Sequence, residues 1–218
     1  MAIRPADHGI FAGQGGLAQP VAAYFGGGFT NALVTTVDKI AFADNSKTTL
    51  STGLSSARYS LAGAANSGVA GYFAGGGTYS SVTTVDKFAF PGDGRSTLGT
   101  GLSTTPYGVT GMANSGVAGY FAGGYIGAGN YTATVDKFAF PGDGRSTLGT
   151  GLAAGTNNMG GAANSGVAGY FGGGNTGSNL RTIYKFAFPG DGRSTLSAQL
   201  SSSFGVRELA AFADSGTL

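Results

Sequence analysis

The sequence predicts an all-β repeat fold. Three observations carry that prediction: a block of about fifty residues recurs four times, short apolar stretches end in glycine, and neighbouring segments alternate with period two. Glycine supplies 43 of 218 residues and proline 6, yet 41% of the chain is apolar and only 10% charged, too hydrophobic for a solvated coil. Glycine does not recur at every third position, which excludes a collagen-like rod, and no run of about 18 apolar residues is present to span a bilayer.

The first recurring element is Val69-Ala70-Gly71-Tyr72-Phe73-Ala74-Gly75-Gly76. It returns verbatim from Val117 to Gly124 and with small changes from Val21 to Gly28 and from Val167 to Gly174. Its tyrosines, Tyr24, Tyr72, Tyr120 and Tyr170, are spaced 48, 48 and 50 residues apart. Short, apolar and bounded by glycine, this element reads as a buried strand.

The second element runs from Thr84 to Leu98 and returns verbatim from Thr134 to Leu148, with weaker copies near Thr36 and Thr182. Val82 to Phe90 puts Val82, Thr84, Asp86, Phe88 and Phe90 on one side and Thr83, Val85, Lys87 and Ala89 on the other, as a strand does. Pro91-Gly92-Asp93-Gly94 then makes a turn, in which Asp93 is expected to cap nearby amides, and Arg95 to Leu98 returns as a partner strand. A further stretch, such as Tyr59 to Ala65 or Tyr107 to Ala113, ends in Asn-Ser-Gly and leads into the next repeat.

Four short strands in about 48 residues is the span of one propeller blade. The expected architecture is therefore a small β-propeller of about four blades over residues 21–218, with repeats starting near residues 21, 69, 117 and 167. The stretch that precedes the glycine-ended strand occurs five times, at Gly9 to Pro20, Ala57 to Gly68, Thr105 to Gly116, Gly155 to Gly166 and Gly205 to Gly216. One copy is surplus. Residues 1–20 are expected to form an N-terminal arm or assembly segment, or else the first and last copies compete for one closing position. A short array of this kind can also pair head-to-tail with another copy.

The Tyr-Phe-Ala-Gly-Gly strand end, the aromatic strand and turn after it, and a later stretch such as Leu54-Ser55-Ser56-Ala57-Arg58-Tyr59-Ser60 resemble a kelch repeat, over roughly Val21 to Gly216. Leu50, Leu98, Leu148 and Leu196 stand near the place where kelch repeats carry a tryptophan, a residue this chain lacks. The near-identical Phe-Ala-Phe-Pro-Gly-Asp-Gly blocks are similar to Gly-rich kelch-type arrays in tail-fibre and other structural proteins of bacterial viruses, cyanobacterial ones in particular. That resemblance implies a virion protein, extracellular after release, whose partners are other virion proteins, copies of itself or a host-surface glycan.

Chemistry-bearing residues are scarce. The chain has a single histidine (His8), a single glutamate (Glu208) and no cysteine, so thiolate and multi-histidine metal sites are excluded and no enzyme activity or cofactor is expected. Gly92-Asp93-Gly94-Arg95-Ser96 lacks the lysine and the helix of a phosphate loop. Twelve basic residues, scattered singly against ten acidic ones, make nucleic acid an unexpected partner. No signal-peptide pattern follows Arg4.

Length variation falls only after the doubled glycine, where insertions in repeat arrays map to loops on one face. Phe29, Tyr79, Tyr125, Tyr131 and Asn175 stand there among glycine, serine, threonine and asparagine. Rigid aromatic area beside adaptable hydrogen-bonding groups suits recognition, which makes these five the candidate ligand-binding residues. The expected function is a non-enzymatic structural or attachment protein of a virus particle, with a soluble glycan-binding lectin as the alternative.

Overall fold

A computed structural model describes residues 21–78, 80–201 and 205–213. The expected arm, residues 1–20, lies outside them. The described residues contain strands and no helix. Sheet 1 has three strands, β1 (Ala22–Gly26), β2 (Val37–Ala41) and β3 (Lys47–Thr49), in that order. Sheet 2 follows as β4 (Ala62–Asn66), β5 (Ala70–Ala74), β6 (Val85–Ala89) and β7 (Gly94–Thr97).

Sheet 3 contains β8 (Thr110–Asn114), β9 (Ala118–Ala122), β12 (Val135–Ala139) and β13 (Gly144–Thr147); a small hairpin, β10 (Tyr125–Gly127) and β11 (Asn130–Tyr131), interrupts it. Sheet 4 is β14 (Gly160–Asn164), β15 (Ala168–Gly172), β16 (Ile183–Ala187) and β17 (Gly192–Thr195). Every pairing is antiparallel, so each sheet is an up-and-down meander.

The strands are shorter than the period-two pattern alone suggests. The segment expected from Val82 becomes a strand only at Val85, because the Val82 amide donates to the Gly76 carbonyl and closes the loop instead. Likewise Tyr59 and Tyr107 precede their strands, β4 and β8, and remain in the loops. The three Phe-Pro bonds of the turns, Phe90-Pro91, Phe140-Pro141 and Phe188-Pro189, are cis.

Sheets 2, 3 and 4 succeed one another through their first strands, with β8 packed between β4 and β14. That approach requires glycine: a Cβ on Gly111 would overlap the Gly63 carbonyl oxygen, and one on Gly161 would overlap that of Gly111. Backbone bonds link the repeats on the same side. The Gly108 amide donates to Ser60 O at 2.9 Å, Asn158 to Gly108 O at 2.8 Å and Glu208 to Asn158 O at 2.9 Å.

Three apolar clusters fill the junctions between consecutive sheets. Val37, Leu54 and Phe88 lie between sheets 1 and 2. Tyr72, Val85, Phe121 and Phe138 lie between sheets 2 and 3, and Tyr120, Val135, Phe171 and Phe186 between sheets 3 and 4.

Each junction is also clasped by one polar unit. Tyr24 and Lys39 stand opposite each other on β1 and β2, and both donate to Asp93 in the turn of sheet 2, at 2.6 and 2.8 Å. Tyr72 and Lys87 hold Asp143 in the same way at 2.7 and 2.6 Å, and Tyr120 and Lys137 hold Asp191 at 2.7 and 2.6 Å. The phenylalanine before each cis-proline stacks on the same tyrosine: Phe90 on Tyr24, Phe140 on Tyr72 and Phe188 on Tyr120, with ring centres 5.0, 5.2 and 5.4 Å apart. The turn aspartates therefore bind side chains of the preceding sheet in addition to shaping their own turn.

The last copy of the surplus stretch continues the series past sheet 4. Val206 pairs with Leu180, its carbonyl accepts from the Gly174 amide at 2.6 Å, and Leu209 packs on Gly160. Among the described residues no extended strand contact joins sheet 1 to sheet 4.

Candidate functional site

Two places bring polar or aromatic side chains together beyond what the junctions need. The first is buried in sheet 2. Asp86 and Arg58 are both fully buried, and an Arg58 terminal nitrogen donates to Asp86 Oδ2 at 2.9 Å. The Ser55 amide and hydroxyl add two bonds to the same oxygen, each at 2.9 Å, and the Thr97 hydroxyl donates to Oδ1 at 2.7 Å. Burial by itself pushes the Asp86 carboxyl upward, but the Ser55 and Thr97 donors together with Arg58 outweigh it and hold the group below its ordinary value. Burial pulls the Arg58 guanidinium down, against the pull of Asp86.

Sheet 3 repeats the arrangement without the arginine: Ser103 bonds Asp136 through its amide and hydroxyl at 2.7 and 2.9 Å. In sheet 4 Tyr184 replaces the aspartate. The buried cluster of sheet 2 fastens a loop to a strand, and within it the Arg58 Nε lacks a hydrogen-bond partner.

The second place is a row of tyrosines on the loops. Three two-way backbone pairs recur along the series, Tyr59 with Gly77, Tyr107 with Tyr125 and Asn157 with Asn175, at N···O distances of 2.8–3.1 Å. Because the sheets stand side by side, these pairs line up across repeats. The Tyr59 and Tyr107 rings lie 6.1 Å apart, Tyr107 and Tyr125 5.0 Å, and Tyr125 and Tyr131 5.5 Å.

All four rings are half-buried, each keeping part of its surface in solvent. The β10–β11 hairpin fixes Tyr125 and Tyr131 as opposite residues, and the Tyr125 hydroxyl accepts the Gly129 amide at 2.9 Å. Burial, and then the neighbouring tyrosines, push the Tyr107 hydroxyl above its ordinary value, so that hydroxyl keeps its proton at physiological pH.

Asparagines take the place of the rings in the next repeat. Asn175 donates through Nδ2 to Asn179 Oδ1 at 3.1 Å and accepts the Gly177 amide at 2.9 Å, so it is held in one orientation. The Asn157 side-chain oxygen is buried without a hydrogen-bond partner. Rings that can stack and amides that can hydrogen-bond thus follow one another along a single face.

Of the residues singled out in the sequence, Tyr125 and Tyr131 come together in this row, and Asn175 stands in the adjoining repeat. Phe29 is 69% exposed and pairs across its own loop with Leu33. Tyr79 lies outside the described residues. Tyr59, Tyr107 and Asn157 are additions from the structure; their spacing of 48 and 50 residues was the signal available in the sequence. Among the described residues no three histidines or carboxylates gather as metal ligands, and no helix is long and apolar enough to cross a membrane.

The fold and this row define an all-β protein of consecutive meanders, one of three strands and three of four, with an aromatic loop face. The chain matches no known protein-family model and no curated protein. Among solved structures it is similar to the one described as the structure of YjhT, with a TM-score of 0.72 at 16% sequence identity. The alignment covers 88% of this chain and 66% of that one. At that identity the likeness speaks for the fold alone.

Proposed function

We propose that the four sheets are kelch-like blades of a β-propeller, and that the protein is a non-enzymatic attachment protein whose loop face binds glycan. Support for the blades comes from the side-by-side first strands β4, β8 and β14 and from one junction unit repeated three times. The observation that carries the binding role is the row Tyr59, Tyr107, Tyr125 and Tyr131 beside Asn157 and Asn175, since sugar rings are bound by aromatic faces flanked by amides. The sequence resemblance to phage structural proteins supports a place in a virus particle, where such a face would meet a host surface. A free lectin would use the same row, and the two readings separate on whether the protein copurifies with virions.

Glycan-array binding followed by titration of the best hit tests the role. Tyr107→Ala removes the ring that touches both Tyr59 and Tyr125 and is expected to weaken binding about tenfold or more, while Phe29→Ala leaves it unchanged. Equal affinity for Tyr107→Ala and the parent chain would overturn the reading.

A further inference from the structure

The clasp between sheets has a donor side and an acceptor side, and the two ends of the series expose one of each. At one end, Tyr170 and Lys185 face each other across β15 and β16 as Tyr120 and Lys137 do across β9 and β12. Among the described residues neither has a hydrogen-bond partner, and no ring stacks on Tyr170. At the other end, the β2–β3 turn of sheet 1 holds Asn45 at φ 57°, the conformation in which Asp93, Asp143 and Asp191 are held at 56°.

Two aromatic side chains of sheet 1, one beside that turn and one further along β1, lack cover as well. Phe42, the counterpart of the stacked Phe90, Phe140 and Phe188, is 50% exposed. Phe25, the counterpart of Phe121 and Phe171, is 62% exposed where they are 2% and 0%. Sheet 1 thus presents an acceptor turn and two uncovered rings. Sheet 4 presents a tyrosine ring, a hydroxyl donor and an ammonium group.

We infer that this protein associates head-to-tail with a second copy of itself, the Tyr170–Lys185 pair of one chain clasping the Phe42–Asn45 turn of the next. The occupant follows from continuity: at the tyrosine, lysine, phenylalanine and turn positions of the clasp, the new junction follows the three that already join the sheets within a chain. Phe42 stacks on Tyr170, and the Asn45 carbonyl oxygen accepts from Tyr170 and Lys185. The preceding Asp44 adds a carboxylate near the ammonium group. Such a contact uses different surfaces on the two partners, so it closes into a ring or runs on as a filament according to its rotation.

One difference sets its strength. Asn45 offers a single neutral acceptor where the internal aspartates offer two charged oxygens, and charge-assisted bonds are about twice as strong as neutral ones. The junction between chains is therefore weaker than those inside, and assembly depends on concentration. This inference rests on reading the sheets as blades of one series, and it requires no glycan.

The chain has no cysteine, which makes crosslinking clean. Asn45→Cys and Lys185→Cys are introduced into separate chains, which are mixed and treated with a short bismaleimide; a chain carrying both Lys137→Cys and Asp191→Cys calibrates an internal junction. A covalent dimer formed only from the mixture supports the inference. A crosslink confined to single chains, when both cysteines are placed in one chain, would mean that the ends close on each other and would overturn it.

No crosslink where the calibrating pair reacts overturns it too. By sedimentation, Asn45→Asp is expected to tighten association about tenfold and Phe42→Ala to weaken it about tenfold. Association unchanged in both variants rejects the clasp. Tyr107→Ala leaves association intact, so failure of the glycan reading and failure of this one are separable.

Discussion

Phe25 in sheet 1 and Phe121 in sheet 3 occupy the same place in their repeats, one residue after the tyrosine of the glycine-ended strand, yet the first is 62% exposed and the second 2%. Asp38 and Asp86 differ in the same way. Asp38 bonds Thr49 and Lys47 in solvent, whereas Asp86 is sealed with Arg58. Local sequence makes the strand in both sheets, and a preceding sheet makes the core. A repeat here is half a packing unit, completed by its neighbour, as in other arrays whose stability is the sum of repeats and the interfaces between them.

The largest expected difference is at the aspartates. Asp86→Ala strands the buried Arg58 guanidinium and should cost about 3–5 kcal/mol, read as a lower urea midpoint, while Asp38→Ala should leave the midpoint where it is. Equal midpoints would break the comparison. Next come the rings. Phe121→Ala opens a cavity in the junction between sheets 2 and 3 and should cost about 3 kcal/mol, against less than about 1 for Phe25→Ala measured in dilute, unassociated protein.

The smallest effect sharpens the polar clasp. Tyr72→Phe removes the bond to Asp143 and should cost about 1–2 kcal/mol, whereas Tyr170→Phe should be neutral in dilute protein. Burial, and then the Asp143 bond, push the Tyr72 phenol far above its ordinary value of 10.0. Below pH 10 both folded and unfolded chains keep this phenol protonated and its contribution is whole. As pH rises past 10 the unfolded chain ionises first, so stability drains away. Phenolate absorbance of Tyr72 and Tyr120 should therefore appear together with unfolding. Appearance before unfolding would place these rings in solvent.

The strands were legible in the sequence because each one is short, alternating and bounded by glycine or proline. The insertion that became the β10–β11 hairpin was legible too, because it changes one spacing from 48 to 50. The clasps were harder to read. Lys39 and Asp93 are 54 residues apart, and only the side-by-side placement of sheets brings them together. In the row of tyrosines, Tyr125 and Tyr131 announced themselves by lying in a variable loop. Tyr59 and Tyr107 looked like the start of a strand, and the loop-closing backbone bonds that leave them outside it have no side-chain signature. Arg58 stood out in the resemblance to a kelch repeat, but its burial depends on an aspartate 28 residues further on.

The directionality of the clasp bears on how such a chain can change length. Donors always lie on one side of a sheet and the acceptor turn on the other, so any sheet presents the next with the same socket. Excising residues 69–116, one whole repeat, would leave Tyr24 and Lys39 facing Asp143 in place of Asp93, and Phe140 in place of Phe90. No contact would need to be reinvented. Unequal recombination within so repetitive a coding sequence would therefore yield working proteins of different reach, and the verbatim identity of residues 84–98 and 134–148 is the kind of trace that such duplication leaves.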